Sequence, residues 1–154
     1  MVTNKQAIYM GSDHAGFAMK RWLVEELRKA NPSLVFHDLG TQSESSCDYP
    51  DFAKIVAEKV IETGSRGILV CGTGTGMSIA ANKVKGIRAA VAYHTTSARL
   101  SREHNDANIL CLGSRLIGQE VALDACRIWL NTEFAGGRHQ QRIEKVRKLE
   151  EGSC

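Results

Sequence analysis

The chain has 154 residues, 43% of them apolar and 24% charged, with a formal net charge of +3. That length and apolar content suit a single domain, 1–154, with a sizeable core, and the modest, unclustered charge gives no nucleic-acid footprint. No apolar run approaches the roughly 18–20 residues of a membrane span, and Met1-Val2-Thr3-Asn4-Lys5-Gln6 lacks the apolar stretch of a signal peptide. Five cysteines without a Cys-x-x-Cys pair argue against a disulfide framework and a zinc ribbon. A reducing, cytoplasmic setting is expected, with Cys126 as a small core residue and Cys47 and Cys154 as loop and tail thiols.

Apolar strands alternate with amphipathic helices along the chain. Ala7-Ile8-Tyr9-Met10 predicts a first buried strand, and Ala15 to Lys29 a helix with Phe17, Trp22, Leu23, Glu26 and Leu27 at helical spacing. Leu34-Val35-Phe36 predicts a second strand. Pro50 marks a helix start, where its missing N–H is harmless, and Phe52, Ile55, Val56 and Val60 give that helix a buried stripe. Strands follow near Ile68–Val70, Ala89–Ala92 and Ile109–Leu112, with helices near Met77–Lys83 and Ser97–His104 between them. Helices over Ile117–Leu130 and Arg138–Glu150 close the chain. Five such units with short apolar strands predict an α/β fold: a Rossmann-like three-layer sandwich, with a five-stranded parallel sheet and helices on both faces.

In such a sheet, ligands bind beyond the carboxyl ends of the strands. The first strand ends in Gly11-Ser12-Asp13-His14 and the third in Cys71-Gly72-Thr73-Gly74-Thr75-Gly76-Met77-Ser78. His94 follows the fourth, and Gly113-Ser114-Arg115 follows the fifth. A cysteine at a strand end, before three glycines and a helix start, stands beside free backbone N–H groups and a positive dipole end, surroundings that suit a thiolate and any anion formed next to it. The glycine order is not Gly-x-Gly-x-x-Gly and follows the third strand, and Tyr93-His94 stand where a dinucleotide site would carry an acid, so a dinucleotide fingerprint fits poorly. Cys71 as an inert buried thiol, and Asp13-His14 as a helix cap with a surface histidine, are the bland alternatives. A metal on His14, His104 and Asp13 has no ligand spacing behind it. Arg138 and Arg142 share one face at a helix start, against the dipole unless an anion sits there, so they suit a phosphate; a solvated basic helix is the other reading.

The ordered set Gly11-Ser12-Asp13-His14-Ala15-Gly16, Asp48-Tyr49-Pro50, Cys71 to Gly76, Ser78-Ile79-Ala80-Ala81-Asn82-Lys83, Arg102-Glu103-His104-Asn105-Asp106, Gly113-Ser114-Arg115 and Gly136-Gly137-Arg138-His139 resembles the type B ribose-5-phosphate isomerases, a family shared with galactose-6-phosphate isomerase subunits. The resemblance runs from about Ile8 to Glu144. It implies that Cys71 is the base moving a proton between the first two sugar carbons, and that His104 assists ring opening with Asp13 nearby. The N–H groups of Gly72, Gly74, Thr75 and Gly76 would form an anion hole together with Thr73. Asn105 and Tyr49 would contact substrate, and His14, Arg115, Arg138 and Arg142 would grip the phosphate, with His139 assisting. Some family members carry a glutamate base where Met77 stands here; this chain has the cysteine instead. The resemblance implies no metal or organic cofactor. It also implies a homodimer or homotetramer with the site between subunits, so that His104, Asn105 and Arg115 face the other chain's Cys71 and the 138–150 helix packs at the interface. A six-carbon sugar phosphate, a non-catalytic sugar-phosphate-binding protein and a redox protein using Cys71 are the competing readings.

Overall fold

The computed structural model describes residues 6–152. Strand and helix alternate as β1 (Gln6–Ser12), α1 (Phe17–Ala30), β2 (Leu34–Asp38), α2 (Tyr49–Thr63), β3 (Arg66–Cys71), α3 (Thr75–Ala81), β4 (Ala89–Val91), α4 (Thr95–Asn105), β5 (Ile109–Gly113), α5 (Gln119–Leu130) and α6 (Arg138–Glu150). All pairings are parallel, in the order β2-β1-β3-β5-β4, which is the expected five-stranded sheet.

The period of two along each strand divides the core. Ile8, Met10, Ile68, Val70, Leu110 and Leu112 point to one face, where Leu23, Leu27, Ala98, Leu123 and Trp129 of α1, α4 and α5 cover them. Leu69, Cys71, Ile109 and Cys111 point to the other, under Ala53, Val56, Ala57, Val60 and Met77 of α2 and α3. Connections leading one way across the sheet use one face and those leading back use the other, as right-handed crossovers require. The direction reverses between β1 and β3, and that switch point lies between Asp13-His14 and the Cys71 loop.

Three details depart from expectation. α1 starts at Phe17 rather than Ala15, because residues 13–16 form a turn in which an Asp13 carboxylate oxygen accepts the Gly16 N–H at 3.0 Å. Its buried stripe is Met19, Lys20, Leu23, Val24 and Leu27, leaving Phe17, Trp22 and Glu26 at the margins. In α2, Ile55 is 42% exposed; Ala53 and Ala57 take the sheet-facing positions beside Val56 and Val60, where small side chains let the helix lie close. Cys126 is fully buried, as expected, whereas Cys154 lies outside the described residues.

Candidate active site

The sheet's carboxyl edge gathers one group of the predicted residues. Cys71 ends β3, and its side chain is almost fully covered, beneath the loop that follows. Gly74 adopts φ 80°, a left-handed conformation open to glycine at little cost, and this turns its N–H back to donate to the Cys71 Sγ at 3.1 Å. α3 then opens at Thr75, two residues earlier than predicted, so its first N–H groups lie beside the sulfur's loop. Thr73 is exposed, and its Oγ1 accepts the Thr75 N–H at 3.2 Å. The Tyr93 hydroxyl donates to the Thr73 carbonyl at 3.4 Å.

Neighbouring strand ends complete this edge. Asp13 is buried and donates its N–H to the Val70 carbonyl, while its carboxylate holds the turn into α1. His14 is half-buried, and its Nδ1 lies 3.2 Å from the Cys47 backbone nitrogen. The same Nδ1 lies 3.3 Å from the Cys47 carbonyl oxygen, so the Cys47 backbone seats this edge of the ring and leaves Nε2 as the nitrogen free of these contacts. Tyr49, 39% exposed at the start of α2, lays its ring against Gly76. Because Cys71 pairs with Gly113, the β5 end lies alongside: the Ser114 N–H donates to the Cys71 carbonyl, the Arg115 N–H to the Gly72 carbonyl, and the Arg115 side chain packs against Gly72. Ser114 Oγ also donates to the Ala15 carbonyl at 2.8 Å, tying the β5 end to the β1 end.

The remaining predicted residues stand elsewhere. α4 leaves the carboxyl edge at His94, whose Nδ1 is spent accepting the Ser97 N–H. At ~1.5 Å per residue the helix carries His104 some 15 Å down, to the amino edge where Asn108 bonds the first residues of β3 and precedes β5. There the His104 and His139 rings stack, with centroids 4.4 Å apart and planes 12° from parallel. The Ala135 N–H donates to the Glu103 carbonyl, fixing the approach to α6, whose first turns carry Arg138, His139 and exposed Arg142. The His139 imidazole is held below its ordinary pKa, first by partial burial and then by its neighbours His104, Arg138 and Arg142.

One expectation is thereby corrected. Arg115 does not join His104 and Asn105; it lies beside Gly72 of its own chain, because β3 and β5 are sheet neighbours. Within one chain Asp13 and His14 lie at the carboxyl edge and His104 at the amino edge, and among the described residues no group of His, Cys, Asp and Glu side chains is placed to hold a metal ion. Sequence reasoning also treated Cys47 only as a loop thiol, whereas its backbone seats His14, a pairing across 33 residues with no local signal.

The sequence profile of the Ribose/Galactose Isomerase family matches residues 8–146. The chain belongs to that family. Ribose-5-phosphate isomerase B of Escherichia coli is 46% identical over 147 residues, covering 94% of this chain and 96% of the relative. Among solved structures, ribose-5-phosphate isomerase B of Clostridium thermocellum superposes with a TM-score of 0.92 at 49% identity, covering 97% of this chain and all of that one. The Mycoplasma genitalium enzyme of the same name, solved with bound ribulose-5-phosphate, gives a TM-score of 0.90 at 40% identity, covering 94% and 96%. The family's fold is the parallel α/β sandwich described above. Among the described residues, no helix is long and apolar enough to cross a membrane.

Proposed function

We propose that this chain is an aldose–ketose isomerase interconverting ribose-5-phosphate and ribulose-5-phosphate, with each site built between two copies. The observation that carries the reading is the Cys71 sulfur at a strand end, faced by the Gly74 N–H and flanked by Arg115, in a member of the Ribose/Galactose Isomerase family. The ribulose-5-phosphate held by the similar Mycoplasma genitalium enzyme supports the five-carbon substrate.

The chemistry begins with a closed sugar ring, which has no carbonyl. An imidazole can give and take a proton near neutrality, so His104 suits the transfer that frees the ring oxygen. Cys71, as a thiolate, then takes the C2 proton of the open-chain aldose. The electron pair moves through the C1–C2 bond onto O1 and gives a cis-enediolate. The thiol returns that proton to C1 while the hydroxyl proton passes from O2 to O1, so every atom is conserved. Negative charge on the enediolate lies beside the sulfur, and the N–H groups of the 72–76 loop with Thr73 offset it; a well-aimed donor of this kind contributes roughly 3 kcal/mol. His14, Arg115, Arg138 and Arg142 hold the phosphate and keep C1 and C2 in register with the sulfur.

One chain keeps Cys71 and His104 on opposite sheet edges, so a second copy supplies the missing half. The exposed apolar residues Ile79 of α3 and Val146 and Leu149 of α6 give that contact its area.

Proton NMR of ribose-5-phosphate with the protein in heavy water and excess chelator tests the reading. Appearance of ribulose-5-phosphate with deuterium at the proton-transfer carbon is expected, and Cys71→Ala should bind substrate yet not turn over. Near-normal turnover by Cys71→Ala removes that residue as base. Conversion of allose- or galactose-6-phosphate but not ribose-5-phosphate moves the assignment to six carbons, and no conversion of any of them leaves a binding protein.

A further inference from the structure

At the amino edge of the sheet a polar cavity of about 350 Å3 opens among Arg66, Arg88, Arg102, Asp106, Asn108 and Glu133. Three guanidinium groups around a cavity suggest an anion, but their hydrogen bonds are committed to the protein. Arg66 Nη1 donates to the Leu130 carbonyl at 3.1 Å and to that of Trp129 at 3.4 Å. The other two arginines converge on residues 105–107, directly after His104. Arg88 Nε donates to the Asn105 carbonyl at 3.0 Å, and its Nη2 to the Asp106 carbonyl at 2.9 Å and to Asp106 Oδ2 at 3.2 Å. Arg102 Nη1 donates to Asp106 Oδ1 at 2.8 Å and to the Ala107 carbonyl at 2.7 Å, and its Nε reaches the Thr132 carbonyl.

Asp106 is the one non-glycine residue at positive φ among the described residues, with φ 45° and ψ 45°. Aspartate tolerates this region better than most side chains, and the conformation ends α4. The last carbonyls of a helix have no partners within it; here Arg88 takes that of Asn105 and that of Asp106 just beyond, Arg102 takes that of Ala107 after the helix end, and both carboxylate oxygens of Asp106 hold the two guanidinium groups in place. Arg102 is almost fully buried, and its guanidinium stacks over Trp129 at 5.9 Å, so this side of the clamp is fixed to the core. No polar atom of Arg88, Arg102 or Asp106 is needed by the sugar in the mechanism above. Their bonds fix the backbone of the residues that are.

We propose that Arg88, Arg102 and Asp106 are positioning residues for His104 and Asn105: a double-arginine clamp on one carboxylate that fixes the end of α4, and with it the ring-opening group. The inference rests on the isomerase reading above. Its logic is geometric, because a displacement near 1 Å at a group that must meet substrate is enough to cost about two orders of magnitude in rate. His104 is braced by its stack with His139 on one side and by this clamp on the other.

The test uses Asp106→Gly, Asp106→Asn and Arg88→Lys in the full chain. Glycine accepts the positive φ but removes the carboxylate, whereas asparagine keeps both an acceptor and tolerance of the left-handed region. Two rates are read for each protein: conversion of ribose-5-phosphate, and exchange of the C1 proton of ribulose-5-phosphate with heavy water, which needs the base but not ring opening. Expected are a loss of conversion of at least tenfold in Asp106→Gly with exchange within about threefold of the parent, and smaller losses in the same sense for Arg88→Lys and for Asp106→Asn, which keeps one acceptor but turns its NH2 toward the second guanidinium. Parental conversion in Asp106→Gly overturns the proposal. So does an equal fall of conversion and exchange, which would mark a structural role only. Should Asp106→Gly fail to fold, Arg88→Lys decides by the same ratio. A parent protein that converts nothing refutes the isomerase reading instead, before any variant is compared.

Discussion

Replacing Gly113 by alanine probes the packing of the Cys71 loop directly. A Cβ at this position stands 2.6 Å from the Thr73 carbonyl oxygen, 2.7 Å from its carbon and 2.9 Å from the Thr73 Cα, where ordinary contact begins at 3.4 Å. The neighbours are backbone, so no side chain can rotate away, and a shift of about 0.8 Å must come from the loop or the strand. The strand is the stiffer of the two: Gly113 is paired with Cys71 at the end of five-residue pairing between β3 and β5, and Ser114 and Arg115 donate back to the Cys71 and Gly72 carbonyls. The displacement therefore lands on the segment from Thr73 to Gly76. Overpacking of this kind costs about 1–3 kcal/mol of stability, and a loop misplaced by nearly 1 Å should lower kcat by roughly 10- to 100-fold. Gly118→Ala is the matched control, since a Cβ there meets nothing within 4 Å and its cost should stay below about 1 kcal/mol. Urea unfolding and kcat of both variants give the answer. A Gly113→Ala protein with kcat within about twofold of the parent would show that the loop's position is not what the chemistry depends on.

Four further outcomes are expected. Lys20 is fully buried, with Nζ 2.5 Å from Asp38 Oδ1 and 2.6 Å from the Thr41 carbonyl; Lys20→Met should cost about 2–4 kcal/mol in urea unfolding, because Asp38 keeps some water and the Gly40 N–H as partial compensation. His139 should titrate by NMR below the ordinary imidazole pKa; Arg142→Ala should move it part of the way back up, and an unmoved pKa would strike Arg142 from its causes and leave burial, His104 and Arg138. Burial pushes the Cys111 thiol up, and that of Cys126 to about 12, so iodoacetamide should spare both in the native protein while alkylating half-buried Cys47, as mass spectrometry of peptides would show. Co-refolding inactive Cys71→Ala with inactive His104→Ala should restore roughly one quarter of the parental sites, since half the random dimers then hold one intact site of two; no recovery would argue for a site within one chain.

Much of the fold is legible in the sequence because its signals are local. Apolar runs such as Ile68-Leu69-Val70 have no alternative but a strand covered on both faces, and their alternation with amphipathic segments leaves a parallel sheet as the economical solution. Boundaries slip where a side chain intervenes, as Asp13 does before α1. In α2 hydrophobicity points to Ile55 for the buried stripe, whereas close helix–sheet packing favours Ala53 and Ala57. Lys20 reads as a surface residue until Asp38 and the Thr41 carbonyl, 18 and 21 residues away, are brought to it. The candidate site divides in the same way. The strand-end motifs name its members, but how they are grouped depends on strand order and register, which no single motif carries.

The case of Arg115 makes the point physically. The family resemblance places it with His104 and Asn105, facing the other chain's Cys71; the adjacency of β3 and β5, with Cys71 opposite Gly113, puts it beside the Cys71 of its own chain instead. His104 is committed the other way by the length of α4. A helix that returns from the carboxyl edge of a parallel sheet to start the next strand must end at the amino edge, so a residue in its last turn cannot meet a residue at the end of β3 in the same chain. The stack of His104 on His139 adds α6 to that half and brings Arg138 and Arg142 with it. Each half then holds two of the four residues proposed to grip the phosphate: His14 and Arg115 beside the sulfur, Arg138 and Arg142 beside the imidazole. A dianion between two surfaces that both carry cationic groups would offset the repulsion between them, so substrate binding and subunit contact should reinforce one another at the proposed interface.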